Sequence, residues 1–252
     1  MKHLLETNTH QDKLFEHFSG RVKFHGEKFG KTLVVMLFTN RSGSNLLGDY
    51  LVNSGNFSGF EEVLNWDFAI RAAQASNIQS FNNLLKGYYA HKTKEGQTFG
   101  VKASIGQLAM LVKWGYLDAF DEVRVIHIER DDIVSQAVSF SIASQTGSWI
   151  SGMTPKAEPV FRYDEILGFL ERIVQENAQG RIGVKALDLP VMRASYEDLV
   201  ANPAAVVQRV HDWFGFPFDA STVQTSMTKQ ASGTNEEFAT LFREKFLKSL
   251  RS

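Results

Sequence analysis

The strongest constraint on this chain is an uncharged run, Thr32-Leu33-Val34-Val35-Met36-Leu37-Phe38, that passes straight into a polar turn, Thr39-Asn40-Arg41-Ser42-Gly43-Ser44-Asn45. A continuous apolar stretch with β-branched members fits a strand buried on both faces, as inside a parallel sheet. Beyond the turn, Leu46, Leu47, Tyr50 and Leu51 recur at helical spacing. The unit is strand, polar turn, helix. A second such unit follows. Residues 123–128 read as a strand, Glu129-Arg130-Asp131-Asp132 is its polar end, and 133–143 read as a helix with Asp131 or Asp132 as N-cap.

The rest of the chain fills in around these two units. Residues 1–30 suggest a short leading helix and a turn, 66–86 a helix, 98–102 a short strand and 105–117 a helix. Residues 146–160 collect Gly, Pro and Trp149 and read as a loop. An amphipathic helix is expected over 163–178, a last strand over 189–194, and a helix from Pro203, a favoured first position, to near Gly215. A Ser- and Thr-rich tail, 219–234, leads to a charged helix over 235–250. Alternating strands and helices predict an α/β fold, a three-layer sandwich with a central, mainly parallel sheet flanked by helices. One domain over 1–252, with its core at about 32–238, is expected from the length of 252 residues and an apolar fraction of 43%. Ligands of such sheets bind beyond the carboxyl ends of strands, where both polar turns fall.

Composition removes several functions. The net charge of −1 supplies no overall field for nucleic acid or an anionic membrane. With no cysteine there is no disulfide framework, thiolate nucleophile or cysteine zinc site. The seven histidines lack metal-ligand spacing, and His127, inside a strand, reads as a packed or hydrogen-bonded residue. The N-terminus lacks a signal-peptide core, and no run approaches the ~18 apolar residues of a membrane span. A cytoplasmic protein is the expectation.

Small residues that open a helix after a strand aim backbone N–H groups at an anion. Ser42, Gly43, Ser44 and Asn45 suit that role, and Arg41 adds a forked cation. A merely polar strand–helix turn would look similar. The P-loop pattern G-x-x-x-x-G-K-[ST] does not apply. Gly30-Lys31-Thr32 precedes the strand, and His25 stands where the first glycine would be. The turn therefore suits an anion without a metal.

Phe38-Thr39-Asn40-Arg41-Ser42-Gly43-Ser44-Asn45-Leu46-Leu47 resembles the 5′-phosphosulfate loop of sulfotransferases that use 3′-phosphoadenylyl sulfate (PAPS). Its Arg-Ser-Gly-Ser form is similar to the Stf0-like branch, which includes trehalose and other carbohydrate sulfotransferases. The block from Ile126 through Arg130, Ser135 and Ser139 to Phe140, continuing with Ala143, Gln145-Thr146 and Trp149, resembles the 3′-phosphate motif of that branch. A third segment, Ala194-Ser195-Tyr196-Glu197-Asp198-Leu199 with Asn202-Pro203 and Gly215, resembles the tyrosine–glutamate–aspartate–leucine segment of sulfotransferases. The matches keep their order across about 33–238, and residues 60–100 and 150–190 match only loosely.

The resemblance implies a P-loop-like sulfotransferase fold and in-line transfer of a sulfuryl group from PAPS to a hydroxyl of a carbohydrate or glycolipid. It implies adenosine 3′,5′-bisphosphate (PAP) as product, no metal, and allows a homodimer. The sulfuryl group carries less charge than a phosphoryl group, which suits a metal-free loop. Arg41 and the backbone of Gly43 to Leu46 would serve the leaving phosphate, with Ser42 in the same loop. Arg130 and Ser139 would hold the 3′-phosphate. In the wider superfamily that serine stands where this chain has Val138, so Ser135 is the fallback. The base of this branch is a glutamate after the first helix. Gly59-Phe60-Glu61-Glu62 occupies that stretch and spacing selects Glu62, with Glu61 next in line and Phe60 replacing the family's proline. Lys102, in Gly100-Val101-Lys102, matches a Gly-x-Lys segment and would contact substrate or the sulfuryl group. Lys229 and Gln230 match a basic loop over the cofactor phosphate.

Plainer readings stand beside these. Arg130 could pair with Asp131 or Glu129, the two glutamates could be a solvated helix start, and Lys102 could be a strand-end surface lysine. Trp149 could stack on a base or sugar, or anchor its loop. A P-loop-type phosphotransferase and a PAPS- or sugar-binding module without turnover are the rival functions.

Overall fold

The apolar run forms strand β1 (Gly30–Phe38), buried without interruption from Leu33 to Phe38. Its side chains alternate between two cores. Leu33, Val35 and Leu37 enter one, Val34, Met36 and Phe38 the other. Each face is covered, so no position along the run is available for a charge.

In the computed structural model, which describes residues 9–150, 153–225 and 233–251, β1 lies at the middle of a five-stranded sheet. The other strands are β2 (Phe57–Gly59), β3 (Thr98–Ala103), β4 (Phe120–Glu129) and β5 (Val191–Ser195). The order is β2-β3-β1-β4-β5, and every pairing is parallel. The chain moves from β1 to β2 and β3 on one side and then to β4 and β5 on the other. The direction of winding thus changes between β1 and β4, the place where open α/β sheets leave a crevice at their carboxyl ends.

The helices fall on both faces. The first core packs α1 (Thr9–His17), α3 (Trp66–Ala75), α4 (Phe81–Lys92) and α5 (Ile105–Lys113) against the sheet. The second carries α2 (Ser44–Asn53), α8 (Tyr196–Ala201) and α9 (Pro203–Phe214). A third cluster joins α6 (Ile133–Thr146), α7 (Tyr163–Ala186) and α10 (Gly233–Ser249) through Val138, Phe140, Ile166, Ile173, Phe238 and Phe242. The expected three-layer α/β architecture with a parallel sheet is what forms. Among the described residues, no helix is long and apolar enough to cross a membrane.

Several elements differ from the sequence expectation, each for a local reason. The helix expected over 66–86 is two. Asn65 caps α3, Asn77 takes a left-handed conformation at φ 51°, and the Ser80 hydroxyl accepts the Asn83 N–H to start α4. The helix expected to reach 117 stops at Lys113, followed by Gly115 at φ 80° and a 3-10 turn over Tyr116–Ala119. Conversely α7 runs on to Ala186, past the expected end at 178 and through Gly180 and Gly183. A Cβ on Gly180 would stand 3.2 Å from both His127 and Leu37, so this glycine lets the helix lie against the sheet. Edge strand β2, of three residues, is too short to leave a periodic signature.

His127 and Glu129 fasten α7 to the carboxyl end of β4. Arg181 on α7 holds Glu129 with two guanidinium nitrogens, Nε at 2.8 Å and Nη2, and His127 Nδ1 lies 3.3 Å from the same carboxylate. His127 is buried, as expected for a packed histidine. Burial lowers its pKa, Glu129 opposes the shift, and Arg181 and Arg193 reinforce it. The unfolded chain, with its histidine near ~6.5, therefore binds the proton first as pH falls. The stability tied to this group is fully present above that value and declines below it. We expect the melting temperature to fall from pH ~6.5 to ~5, with a smaller slope in His127→Gln. Equal slopes in thermal melts of both proteins would show that His127 does not carry the effect.

Candidate functional site

The turn after β1 is built to leave backbone amides open. Arg41 has φ 68° and Gly43 φ 90°, and Ser42 N–H closes back on the Thr39 carbonyl at 3.2 Å. This pair of left-handed residues turns the chain out of the sheet into α2. Gly43 caps that helix without a side-chain bond. The amides of Ser44, Asn45 and Leu46 therefore open the helix, where the preceding chain supplies no helical carbonyls. Thr39 is buried beneath the turn, and the Gln136 side chain on α6 donates to its hydroxyl at 2.9 Å and to the Asn40 carbonyl at 2.8 Å. Ser42 is wholly buried, and its Oγ has no hydrogen-bond partner. Its hydroxyl thus faces protein, and its amide is already bonded to Thr39.

The end of β4 comes to the same crevice. Asp132 caps α6, accepting the Ser135 amide at 3.0 Å and the Ser135 hydroxyl at 2.6 Å. That bond occupies Ser135, the fallback position, in capping. Ser139, one turn further and nearly buried, receives Arg41 Nε at 2.9 Å. Arg41 Nη1 also donates to the Trp149 carbonyl at 2.6 Å. The residue assigned to the 5′ side is thus bonded to the serine assigned to the 3′ side. Burial, then the charge of Arg130, lowers the pKa of Arg41, and Tyr196 opposes them. Two guanidinium groups kept this close favour an anion between or beside them.

Arg130 does not pair with Asp131 or Glu129. Its Nε lies 3.7 Å from a Glu197 oxygen and has no hydrogen-bond partner, although that atom is shielded from solvent. The guanidinium stacks over the Tyr196 ring, 4.6 Å from its centroid. Glu197 meanwhile accepts the amides of Asp131 and Asp132 at 2.9 and 3.3 Å. The Arg130 guanidinium is partly exposed and pairs only loosely with Glu197, which leaves its shielded Nε as a donor that an incoming anion can complete.

The third group comes from β2 and β3. Lys102 is no surface lysine, for its side chain is 4% exposed. Its ammonium donates to Glu62 Oε1 at 3.0 Å and to Asn45 Oδ1, and lies over the Phe38 ring at 5.5 Å. Glu62, 41% exposed, reaches solvent beside it. Glu61 points elsewhere, to Lys92 at 2.6 Å. The two adjacent carboxylates are therefore sorted by their lysines. Phe60 directs them: it takes φ 59°, donates its N–H to the Gly100 carbonyl at 2.7 Å and packs on the bare Gly100 backbone. Phe60 thus serves as a buried anchor where the family's proline would stand.

The structure brings together Arg41, Gly43, Ser44, Asn45, Leu46, Glu62, Lys102, Arg130 and Ser139 at the carboxyl edge of the sheet. Trp149 sits at the rim, 40% exposed, its ring edge-on to Phe140. Lys229 and Gln230 lie outside the described residues. Sequence reasoning gave no role to Gln136, Lys92, Tyr196 or Glu197. Gln136, Tyr196 and Glu197 stand inside quoted motifs, and that was their signal. Lys92 left none, because its partner Glu61 is 31 residues away. Among the described residues, no cluster of three His, Cys, Asp or Glu side chains could hold a metal.

Comparison with known proteins places this arrangement. The sulfotransferase domain from the curacin biosynthetic pathway is 14% identical, with 83% of each chain covered and a TM-score of 0.52. The sulfotransferase domain of the Synechococcus PCC 7002 olefin synthase is 15% identical, covering 87% of this chain and 96% of that one at a TM-score of 0.47. Retinol dehydratase, solved with androsterone and inactive cofactor PAP, is 10% identical, covering 97% and 94% at 0.48. No curated protein matches the sequence. The first similarity supports the sulfotransferase fold at the level of architecture. The sequence pattern of the Stf0 sulphotransferase family matches residues 33–245, which hold both polar turns, the acidic pair and the β5–α8 corner, and the chain belongs to that family.

Proposed function

We propose that this protein transfers the sulfuryl group of PAPS to a hydroxyl of a carbohydrate or glycolipid, with Glu62 as general base. The observation that carries the reading is the Glu62–Lys102–Asn45 contact, which ties a solvent-facing carboxylate to the open helix start of the phosphate turn. A base and an anion-binding turn are thereby held in one cluster, as in-line displacement requires.

The residues fit the donor. The incompletely bonded Arg130 Nε and the open amides of Ser44 to Leu46 are two separate anion stations at one crevice. When bound, PAPS would supply an activated sulfuryl group and a 3′-phosphate by which it is told from other nucleotides. Arg130 and Ser139 would hold that 3′-phosphate. The helix-start amides and Arg41 would stabilise the charge left on the 5′-phosphate as its bond to sulfur breaks. Lys102 lies between turn and base, placed to neutralise charge on the sulfuryl oxygens. Glu62 would take the hydroxyl proton as the acceptor oxygen bonds to sulfur. The exposed Trp149 indole at the rim offers a flat apolar face suited to the C–H face of a sugar ring. Arg41 links both stations through Ser139, so occupancy of one is felt at the other.

Three outcomes follow. PAP should raise the melting temperature much more than AMP or ATP, with ~2.7 kcal/mol of stabilisation at a hundredfold excess over its dissociation constant. Arg130→Ala should weaken PAP by ~2 kcal/mol, read by calorimetry. Equal shifts from AMP and PAP would refute the donor assignment.

Sulfate transfer from labelled PAPS to an extract of the source cells should survive EDTA, because the turn lacks the lysine and hydroxyl pair with which a P-loop holds phosphate and Mg²⁺. An absolute Mg²⁺ requirement would instead point to a phosphotransferase.

Glu62→Gln should keep PAP binding and lower kcat by ~10²–10⁴. Glu61→Gln should cost less, since that carboxylate is turned toward Lys92. A reversed ranking would move the base by one residue, and near wild-type turnover in the double variant would remove the carboxylate base altogether.

A further inference from the structure

His10 reaches the neighbourhood of Glu62 from an element that carries none of the motifs. It stands half-buried at the start of α1, which Leu14 and the following Phe18 root in the first core. Its Nδ1 accepts the Trp66 amide at 3.1 Å. Trp66 is the first residue of α3, so that amide has no carbonyl partner within its own helix. An imidazole nitrogen accepts an N–H only when it carries no proton, so the neutral ring keeps its hydrogen on Nε2.

The turn held in this way carries the carboxylate. The Glu62 carbonyl accepts the Asn65 amide at 2.8 Å, and the Asn65 side chain accepts the Asp67 amide at 3.1 Å to cap α3. On the other side β3 fixes the same stretch. Phe60 N–H donates to the Gly100 carbonyl at 2.7 Å, and Lys102 N–H to the Glu61 carbonyl at 3.3 Å. Val63 and Leu64, between the two anchors, are wholly buried. Glu62 is thus strung between the sheet and His10. Among the described residues, two charged groups bear on the imidazole, Glu62 itself and Arg172 on α7. Burial lowers the pKa of His10, Glu62 opposes the shift and Arg172 reinforces it. Protonation would act on the carboxylate twice. It would take the acceptor away from the Trp66 amide, and it would set a cation nearby, which makes a carboxylate a weaker base.

We infer that His10 is a positioning residue for Glu62: in its neutral form it clasps the Trp66 amide, fixes the turn that presents the carboxylate and leaves that carboxylate basic. The inference rests on the reading of Glu62 as general base and goes beyond it. Turnover then depends on the charge state of a histidine that acts through the turn.

The test is the pH dependence of sulfate transfer from labelled PAPS to an extract of the source cells, at saturating PAPS, with folding checked by circular dichroism at each pH. The proteins are the wild type, His10→Leu, His10→Asn and Glu62→Gln. At pH ~7.5 His10→Leu should lose about tenfold in turnover, because small displacements of a reacting group are costly, and should keep its affinity for PAP within about threefold. The side-chain oxygen in His10→Asn can stand in for Nδ1, so this variant should recover most of that loss. Below pH ~6.5 the wild type should lose turnover more steeply than His10→Asn, which has no imidazole to protonate. Protonation of Glu62 itself gives a decline that both proteins share. The inference is overturned if His10→Leu turns over like the wild type, if His10→Asn does no better than His10→Leu, or if the acid decline of His10→Asn is as steep as that of the wild type. Near wild-type turnover in Glu62→Gln removes the base reading and the inference with it, a result the His10 variants cannot mimic. Should His10→Leu fail to fold, the acid decline of His10→Asn decides alone.

Discussion

Everything at the site depends on β1 being paired on both edges and buried on both faces. Parallel pairing with β3 and β4 brings three strand ends to the same side of the sheet, in register at Met36 with Lys102 and with Ile126. Double burial from Leu33 to Phe38 leaves no place for a charge there, so the polar groups of this unit gather where the strand stops. The change of winding between β1 and β4 then separates the helices that follow, and the turns carrying Arg41 and Arg130 face one crevice. The site is a consequence of topology before it is a consequence of chemistry.

Its chemistry is kept under electrostatic tension. Lys102 is almost wholly buried, and taking an ammonium out of water costs on the order of several kcal/mol unless partners compensate. Glu62, Asn45 and the Phe38 ring supply that compensation. Arg41 is desolvated beside a second arginine and donates to Ser139 and to the Trp149 carbonyl. Arg130 leaves a shielded nitrogen without a hydrogen bond. Cations held this way gain more from an incoming anion than fully solvated ones would, because part of their desolvation precedes the ligand. The anchors that hold them are ordinary packing devices: Phe60 on Gly100, Tyr196 on Gly43, Gln136 across to Thr39.

Where sequence reading missed, long-range contact decided. Residues 66–86 carry a helical pattern throughout, but Asn77 and the Ser80 cap divide it, and a short polar stretch can serve equally as a helix surface or as a break. The helix over 163–178 extends through Gly180, whose bare backbone the His127 and Leu37 side chains approach, a contact no local pattern shows. The adjacent pair Glu61 and Glu62 could be ranked by spacing, yet no pattern says which lysine each meets. Lys92 and Lys102 come from different elements and do the sorting.

Local patterns by themselves determined the strand–turn–helix units around 32–51 and 123–143, the parallel α/β class and Arg41 as an anion-binding candidate, because apolar runs, caps and small-residue turns express local backbone energetics. Glu62, Lys102, Arg130 and Ser139 became candidates through the family resemblance of their segments. Only the tertiary structure decided how those residues meet: Arg41 on Ser139, Lys102 buried between Glu62 and Asn45, Arg130 stacked on Tyr196. These contacts join segments 40 to 98 residues apart, or two different strand ends. No local pattern records such distances, since they are fixed by the order of strands in the sheet and by the packing that holds each strand end in place.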